Sequence, residues 1–61
     1  MKRKVKVICY NEEMFFDTRK KAIAYFKEGM SYCDPYSSEY DRYAMIVQQL
    51  ESGAMEATDE I

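Results

Sequence analysis

The side chains of this 61-residue chain that could carry chemistry are two cysteines, several serines and a set of carboxylates. With no histidine, the chain has neither a Ser-His nor a Cys-His pair for nucleophilic catalysis. Cys9 and Cys33 alone cannot supply the four ligands of a structural zinc site. We expect both to be free thiols that pack as small apolar side chains, and no bound metal. The alternative is a redox pair or a bridge between subunits.

Carboxylates lie close together in the sequence at Glu12/Glu13, Glu39/Asp41 and Asp59/Glu60. Side chains that are neighbours in sequence point apart on a strand or a helix, so these pairs are not expected to work together. A working carboxylate pair also needs a cleft that shifts its pKa values. So short a chain rarely encloses a pocket of about 300 Å³ or more. A lysine-activated serine would need a desolvated lysine, and the lysines fall on polar faces. We therefore expect no enzymatic activity and no cofactor.

Charge is divided along the chain, although the net charge is only -2. Residues 1–27 carry eight basic and three acidic groups, a net +5, whereas residues 28–61 carry one basic and eight acidic groups, a net -7. Attraction between two halves of one domain is the preferred interpretation, because neither half has a block of five like charges. The alternative is a nucleic-acid surface or an acidic interaction face.

The nucleic-acid hypothesis depends on a basic strand beside an aromatic ring, Tyr10, which could follow phosphates and stack a base. Its candidate residues are Lys2, Arg3, Lys4, Lys6, Arg19, Lys20 and Lys21. Against it stands the acidic isoelectric point of about 5.0, since nucleic-acid-binding domains usually exceed about 9. We prefer a lysine-rich strand edge that prevents edge-to-edge pairing. A further alternative is that the acidic half imitates phosphates and inhibits a nucleic-acid-binding protein.

The hydrophobic pattern predicts a β-hairpin followed by two helices. Residues 2–10 alternate as a strand, residues 11–13 form a polar turn, and residues 14–16 form a return strand. A first helix begins after Asp17 or Thr18 as N-cap and runs to about residue 32. A second begins at Pro35, Ser37 or Ser38 and ends before Gly53, a suitable residue to follow a helix.

These elements predict a single α+β domain over residues 1–61, in which the N-terminal hairpin packs on an antiparallel two-helix hairpin. Residues 54–61 are expected to be either a frayed acidic tail or a short third strand. The predicted core is Val5, Val7, Cys9, Phe16, Ile23, Phe26, Met30, Tyr40, Tyr43, Val47 and Leu50.

The six tyrosines are a surplus for so short a chain. Tyr10, Tyr25 and Tyr32 fall outside or at the margin of the predicted apolar faces. Together with Met45 they are candidates for an exposed protein-contact patch, because interfaces are enriched in Tyr and Met. Arg42 is the only basic residue of the acidic half. It is expected either to pair with Glu39 on the helix surface or to anchor an interface.

Several segments taken together resemble a group of small Firmicutes proteins of unknown function, many of them on plasmids, phages or conjugative elements. The basic first strand comes first. The other segments are residues 16–26 (FDTRKKAIAYF), Cys33, residues 39–43 (EYDRY), Leu50, Gly53 and residues 57–59 (ATD). The resemblance implies a bacterial or mobile-element setting and implies no activity.

The leading functional hypothesis is a non-enzymatic module that binds another protein or a second copy of itself. The missing catalytic set, the surplus tyrosines and the small size motivate it, since a domain this short is marginal alone. The basic residues 2–4 are not followed by the apolar run of a secretory signal, so a cytoplasmic location without membrane contact is expected.

Overall fold

The structure, a computed structural model, describes residues 4–59 as a three-stranded sheet with two helices. In chain order the elements are β1 (Val5–Cys9), β2 (Glu12–Phe16), α1 (Arg19–Ser31), α2 (Ser38–Glu51) and β3 (Glu56–Thr58). The strand order is β2-β1-β3, so the first strand occupies the centre of the sheet. The predicted α+β class, the N-terminal hairpin and the third C-terminal strand are confirmed.

Strand β1 is central because its alternating sequence gives it one fully apolar face. Val5, Val7 and Cys9 are buried against the helices, whereas Lys6 and Ile8 on the opposite face are half-buried. Successive side chains of a strand point to opposite faces, so three apolar residues at every second position cover one side of the sheet. Lys2 and Arg3, which the sequence assigned to the start of this strand, lie outside the described residues.

The hairpin turn is tighter than the sequence predicted. Cys9 pairs directly with Glu12, so the loop consists only of Tyr10 and Asn11, whose φ angles are 53° and 64°. A two-residue loop with positive φ at both positions matches the right-handed twist of the flanking strands. The prediction of a turn over residues 11–13 was wrong because this turn contains no glycine, and Glu12 and Glu13 belong to β2.

Both helices begin at side-chain caps that the sequence indicated. The Lys21 N–H donates to Thr18 Oγ1 at 3.1 Å, and the Tyr40 N–H donates to Ser37 Oγ at 3.2 Å. Each hydroxyl satisfies a first-turn N–H that has no partner within its own helix. Thr18 and Ser37 are therefore the caps among the predicted alternatives.

Helix α2 ends just before a glycine that adopts the left-handed backbone conformation. Gly53 has φ of 108°, its N–H donates to the Leu50 carbonyl, and the Ala54 N–H donates to the Gln49 carbonyl. This pair of bonds is the Schellman motif, which satisfies helix-end carbonyls and favours glycine at the left-handed position. Arg19 Nη1 also donates to the Leu50 carbonyl at 3.3 Å, so the start of α1 lies beside the end of α2 and the helices are antiparallel.

The third strand runs parallel to β1, with Lys6 opposite Glu56 and Ile8 opposite Thr58. The Lys6 N–H donates to the Met55 carbonyl, and the Asp59 N–H donates to the Ile8 carbonyl. A parallel return needs a long crossover, and here the β2-α1-α2 segment supplies it. The chain thus comes back beside its own first strand.

The core lies between the sheet and the two helices. Six predicted core residues are buried and four more pack against them in part, whereas Tyr40 does not join this cluster. The predicted core omitted Ala22, Ile46 and Ala57, although all three are buried. Ala57 becomes buried only through the third strand. The buried cluster is Val5, Val7, Cys9, Ala22, Phe26, Ile46, Val47, Leu50 and Ala57.

Replacing Ile46 tests this core. We expect Ile46→Ala to lower the free energy of unfolding by about 2–5 kcal/mol, because the truncated side chain leaves a cavity. Ile46→Val should lower it by about 0.5–1.5 kcal/mol and keeps a measurable transition if the alanine variant is unfolded. Urea denaturation monitored by circular dichroism is the measurement. Gln48→Ala, exposed on the same helix, should change stability by less than about 0.5 kcal/mol, and an equally small effect at Ile46 would contradict this packing.

Candidate functional site: an aromatic groove supported by a buried carboxylate

Among residues 4–59, Asp59 is the one charged residue that is buried, and 1% of its side chain is exposed. Its Oδ2 accepts hydrogen bonds from the Tyr10 N–H at 3.1 Å and from Arg42 Nη1 at 2.8 Å. The first bond joins the hairpin turn to the end of the third strand, and the second joins that strand to α2. We call Asp59, Tyr10 and Arg42 the carboxylate clasp.

The Tyr10–Asp59 bond continues the pairing between β1 and β3 after the backbone partners end. On the side of β1 that faces β3, the Ile8 carbonyl accepts from the Asp59 N–H. The next N–H on that side belongs to Tyr10, and it reaches the Asp59 carboxylate. A side-chain carboxylate thereby satisfies an N–H of a left-handed turn residue that would otherwise need a water molecule.

Gln49 of α2 holds the outer edge of the third strand. Its Nε2 donates to the Thr58 carbonyl at 2.8 Å, and its Oε1 accepts from the Thr58 N–H at 3.2 Å. The side-chain amide therefore forms the same pair of bonds that a neighbouring strand would form. An edge whose groups are occupied in this way is a poorer template for another strand.

The pKa of Asp59 lies below its usual range even though burial alone would raise it. The hydrogen bonds from the Tyr10 N–H and the Arg42 guanidinium, together with the charge of that guanidinium, outweigh the cost of burial. The same hydrogen bond to Asp59 raises the pKa of Arg42. Both effects keep the pair ionised at neutral pH.

Arg42 lies where the sequence did not place it. Its predicted partner was Glu39, but the side chain turns toward β3, pairs with Asp59, and stacks over the Tyr10 ring at 4.9 Å from the ring centre. A buried carboxylate on the adjoining strand is a stronger partner than a solvated one on the same helix. The exposed ring and the half-exposed guanidinium form the outer surface of the clasp.

The two thiols lack the properties of reactive cysteines. Burial raises the pKa of Cys9, and the neighbouring Asp59 charge raises it further. Desolvation and Glu39, whose Oε2 lies 3.8 Å from the sulfur, raise the pKa of Cys33. Both cysteines are free and remain protonated at neutral pH, whereas the nucleophilic form is the thiolate.

A concave surface rich in aromatic side chains lies along the second half of α1, against α2. It encloses a cavity of about 320 Å³. We call it the aromatic groove, and its lining residues are Tyr25, Phe26, Glu28, Gly29, Tyr32 and Tyr43. Tyr25 is 54% exposed and Tyr32 is 82% exposed, so large aromatic side chains remain accessible beside a preformed hollow.

Gly29 allows the two helices to approach at the floor of the groove. A β-carbon at this position would lie 3.2 Å from Cε2 of Tyr43, which is too close for relaxed packing. The absence of a side chain at Gly29 thus allows the Tyr43 ring to lie directly against α1. Burial raises the pKa of Tyr43, so its phenol stays neutral.

The walls of the groove are stiffened by a chain of aromatic contacts from β2 to α2. Phe16 lies 5.4 Å from Tyr25 and 5.8 Å from Phe26, measured between ring centres. Phe26 in turn lies 5.1 Å from Tyr25 and 5.6 Å from Tyr43. Tilted and edge-on pairs at these distances are favourable, so the groove rests on the buried core.

The predicted protein-contact residues fall in two places instead of one patch. Tyr25 and Tyr32 line the aromatic groove, whereas Tyr10 and Arg42 belong to the carboxylate clasp. Met45 is half-buried on α2. Sequence reasoning missed that Tyr43 joins the groove, because its position on the apolar stripe of α2 indicated the core alone.

Comparison with known proteins gives no relative from which a function could be carried over. No protein-family model, no curated protein and no solved structure matches the chain. The resemblance to small Firmicutes proteins of mobile elements stays a prediction.

Most basic residues of the nucleic-acid hypothesis that the structure describes have acidic or carbonyl partners. Lys4 and Lys21 both lie within 4.0 Å of Asp17, and Lys6 lies 3.7 Å from Glu13. Arg19 donates to the end of α2, as described above. Lys20 has no ion pair within residues 4–59 and lines a second cavity with Arg19, Ile23, Leu50 and Glu51. Lys2 and Arg3 lie outside the described residues.

Two further observations concern metals and membranes. Within residues 4–59, no group of three or more Cys, Asp or Glu side chains is arranged to hold a metal ion. Neither α1 nor α2 is long and apolar enough to cross a bilayer.

Asp59→Asn tests the carboxylate clasp. The amide loses the charge that attracts Arg42, so we expect the free energy of unfolding at pH 7 to fall by about 1–3 kcal/mol. Because the folded pKa of Asp59 is lowered, its contribution is complete above the unfolded pKa of about 3.9 and is lost as the pH falls through the folded pKa.

Urea denaturation of both proteins across this pH range measures the effect, and the difference between them should shrink in acid. Glu56→Gln, at an exposed position of the same strand, is the matched control and should leave stability nearly unchanged. A difference that persists undiminished in acid would rule out the ionised clasp.

The pairing of the basic residues predicts little affinity for nucleic acid. We expect no measurable binding of a random-sequence DNA duplex at about 50 mM salt, because acidic side chains already neutralise much of the basic surface. Fluorescence anisotropy is the measurement. Binding that is lost by about 200 mM salt and by the double variant Lys4→Glu/Lys6→Glu would instead support the nucleic-acid hypothesis.

Proposed function

We propose that this chain is a non-enzymatic protein-binding module that takes up a side chain of a partner protein in the aromatic groove. The observation that carries the proposal is the exposure of Tyr25 and Tyr32 beside a cavity of about 320 Å³. Tyrosine is enriched at interfaces because it offers a large apolar body with a polar tip. A cavity of this size accepts one or two partner side chains.

The rigidity of the groove supports this function. Phe26 is fully buried beneath it, and Phe16 and Tyr43 pack against Phe26. A preformed wall loses little conformational freedom when a partner binds, so more of the contact energy appears as affinity. Tyr25 therefore stands on a fixed base through its contacts with Phe16 and Phe26. Tyr32 follows the end of α1 and is the more exposed of the two tyrosines.

The state of the ionisable groups supports a binding role over a catalytic one. Asp59 is engaged by Tyr10 and Arg42, and both thiols have raised pKa values. A catalytic carboxylate or thiol needs an environment that adjusts it to its reaction and leaves it accessible. On the resemblance alone, we also propose that the module works in a bacterial or mobile-element setting.

Selection from a displayed library of random peptides tests the proposal. We expect peptides to be enriched on the wild-type chain and to bind Tyr32→Ser at least about tenfold more weakly, a loss of about 1.4 kcal/mol. Tyr25→Ser should weaken binding in the same way, because both rings line the groove. Fluorescence anisotropy with the selected peptides gives the dissociation constants.

Tyr36→Ser is the matched control, because Tyr36 is 97% exposed and does not line the groove. It should leave the dissociation constants unchanged. Failure to enrich any peptide, or equal binding by the Tyr32→Ser and wild-type chains, would overturn the proposal. Light scattering on the free protein separates a second copy from a foreign partner, and we expect a monomer.

A further inference from the structure

The side of α1 that forms the groove carries one acidic residue between two tyrosines. Tyr25, Glu28, Gly29 and Tyr32 follow the spacing i, i+3, i+4 and i+7, so they lie on one face of the helix. No basic side chain lines this groove. We propose that the groove binds a cationic side chain, an arginine or a lysine, of a basic peptide segment, an inference that rests on the proposed function.

Glu28 is the residue that makes the groove selective for charge. Glu28 lines the groove, is exposed, and forms no ion pair within residues 4–59. The neighbouring Lys27 directs its ammonium to Glu51, at 3.1 Å, and so does not neutralise Glu28. A cation that enters the groove gains a partner, whereas an anion would face a like charge, and both effects weaken as salt is added.

The aromatic lining favours the same class of ligand. Tyr25, Tyr32 and Tyr43 line the groove, and the face of an aromatic ring attracts a cation through its quadrupole. The chain already makes this contact elsewhere, where the Arg42 guanidinium lies 4.9 Å from the centre of the Tyr10 ring. Several rings around one hollow combine this attraction with burial of the aliphatic stem of the cationic side chain.

The end of α1 adds a further negative potential. The helix ends at Ser31 with no basic residue in its last turn. Aligned peptide dipoles place partial negative charge at this end, which favours a nearby cation. In the sequence, Glu28 also opens the acidic half of the chain, since residues 28–61 carry a net charge of -7. Charge complementarity therefore points to a basic segment as the occupant.

An NMR titration of the full chain with two capped tripeptides tests the proposal. One peptide is acetyl-Gly-Arg-Gly-amide, and the other replaces the arginine by norleucine, which keeps the aliphatic stem without the charge. Amide shifts at Tyr25, Gly29 and Tyr32 should saturate with the arginine peptide. We expect the arginine peptide to bind at least about fivefold more tightly than the norleucine peptide at low salt.

Two charge-neutralising variants locate the effect. Glu28→Gln should reduce the preference for arginine to about twofold or less. Asp41→Asn, which removes an exposed acid from α2 outside the groove, should leave the preference intact. Equal loss in both variants would mean that the net charge, and not the groove, attracts the peptide, and would overturn the proposal.

The outcomes separate this proposal from the proposed function. Equal saturable binding of both peptides in the groove would overturn the cation site, while the protein-binding role would stand on apolar contacts. No saturable shifts with either peptide up to about 10 mM, together with selected peptides that ignore Tyr32→Ser, would overturn both.

Discussion

The structure depends on the hydrogen bonds that the Asp59 carboxylate accepts from the hairpin turn and from α2. The third strand spans only three residues, too few for backbone pairing alone to fix it firmly. Asp59 joins it to Tyr10 and to Arg42, while Gln49 satisfies both outward groups of Thr58. These contacts fix the flank of α2 against the sheet. Since Tyr43 extends from that helix, they also fix the floor of the aromatic groove.

A domain of this size has few residues to spare for both stability and chemistry. Its buried charge is engaged in a structural pair, and its buried thiol, Cys9, lies protonated in the core. The exposed surface is where the chain departs from what stability alone requires. Tyr25 and Tyr32 remain accessible beside Glu28, and at Tyr32 a polar or small residue would hold the helix end equally well. The proposed binding role accounts for this exposure.

Sequence patterns predicted those parts of the fold that depend on near neighbours. Thr18 and Ser37 cap their helices, and Gly53 ends α2, because each acts on backbone groups only a few residues away. The strand alternation of β1 follows from residue types at every second position. The two-residue turn was misplaced because Tyr10 adopts a left-handed conformation without the glycine that usually signals it.

The features that were not predicted depend on residues far apart in the chain. Asp59 lies 49 residues from Tyr10, so no local pattern indicates that its carboxylate completes the pairing of β1. The parallel direction of the third strand decides which side chains meet, and short strands of alternating residues carry no signal for direction. The sequence indicated only part of the groove, because it predicted that Tyr25 and Tyr32 are exposed. Tyr43 joins them only because Gly29 lets the two helices approach each other.

Native-state hydrogen exchange at the Tyr10 amide tests the dependence on Asp59 most directly. If the carboxylate clasp holds the sheet together, this amide opens only with the whole domain, and its protection equals that of the most protected amides of β1. The Thr58 amide, bonded to Gln49, should exchange with them. Rapid exchange at Tyr10, at the rate of an exposed turn amide while β1 stays protected, would contradict the account.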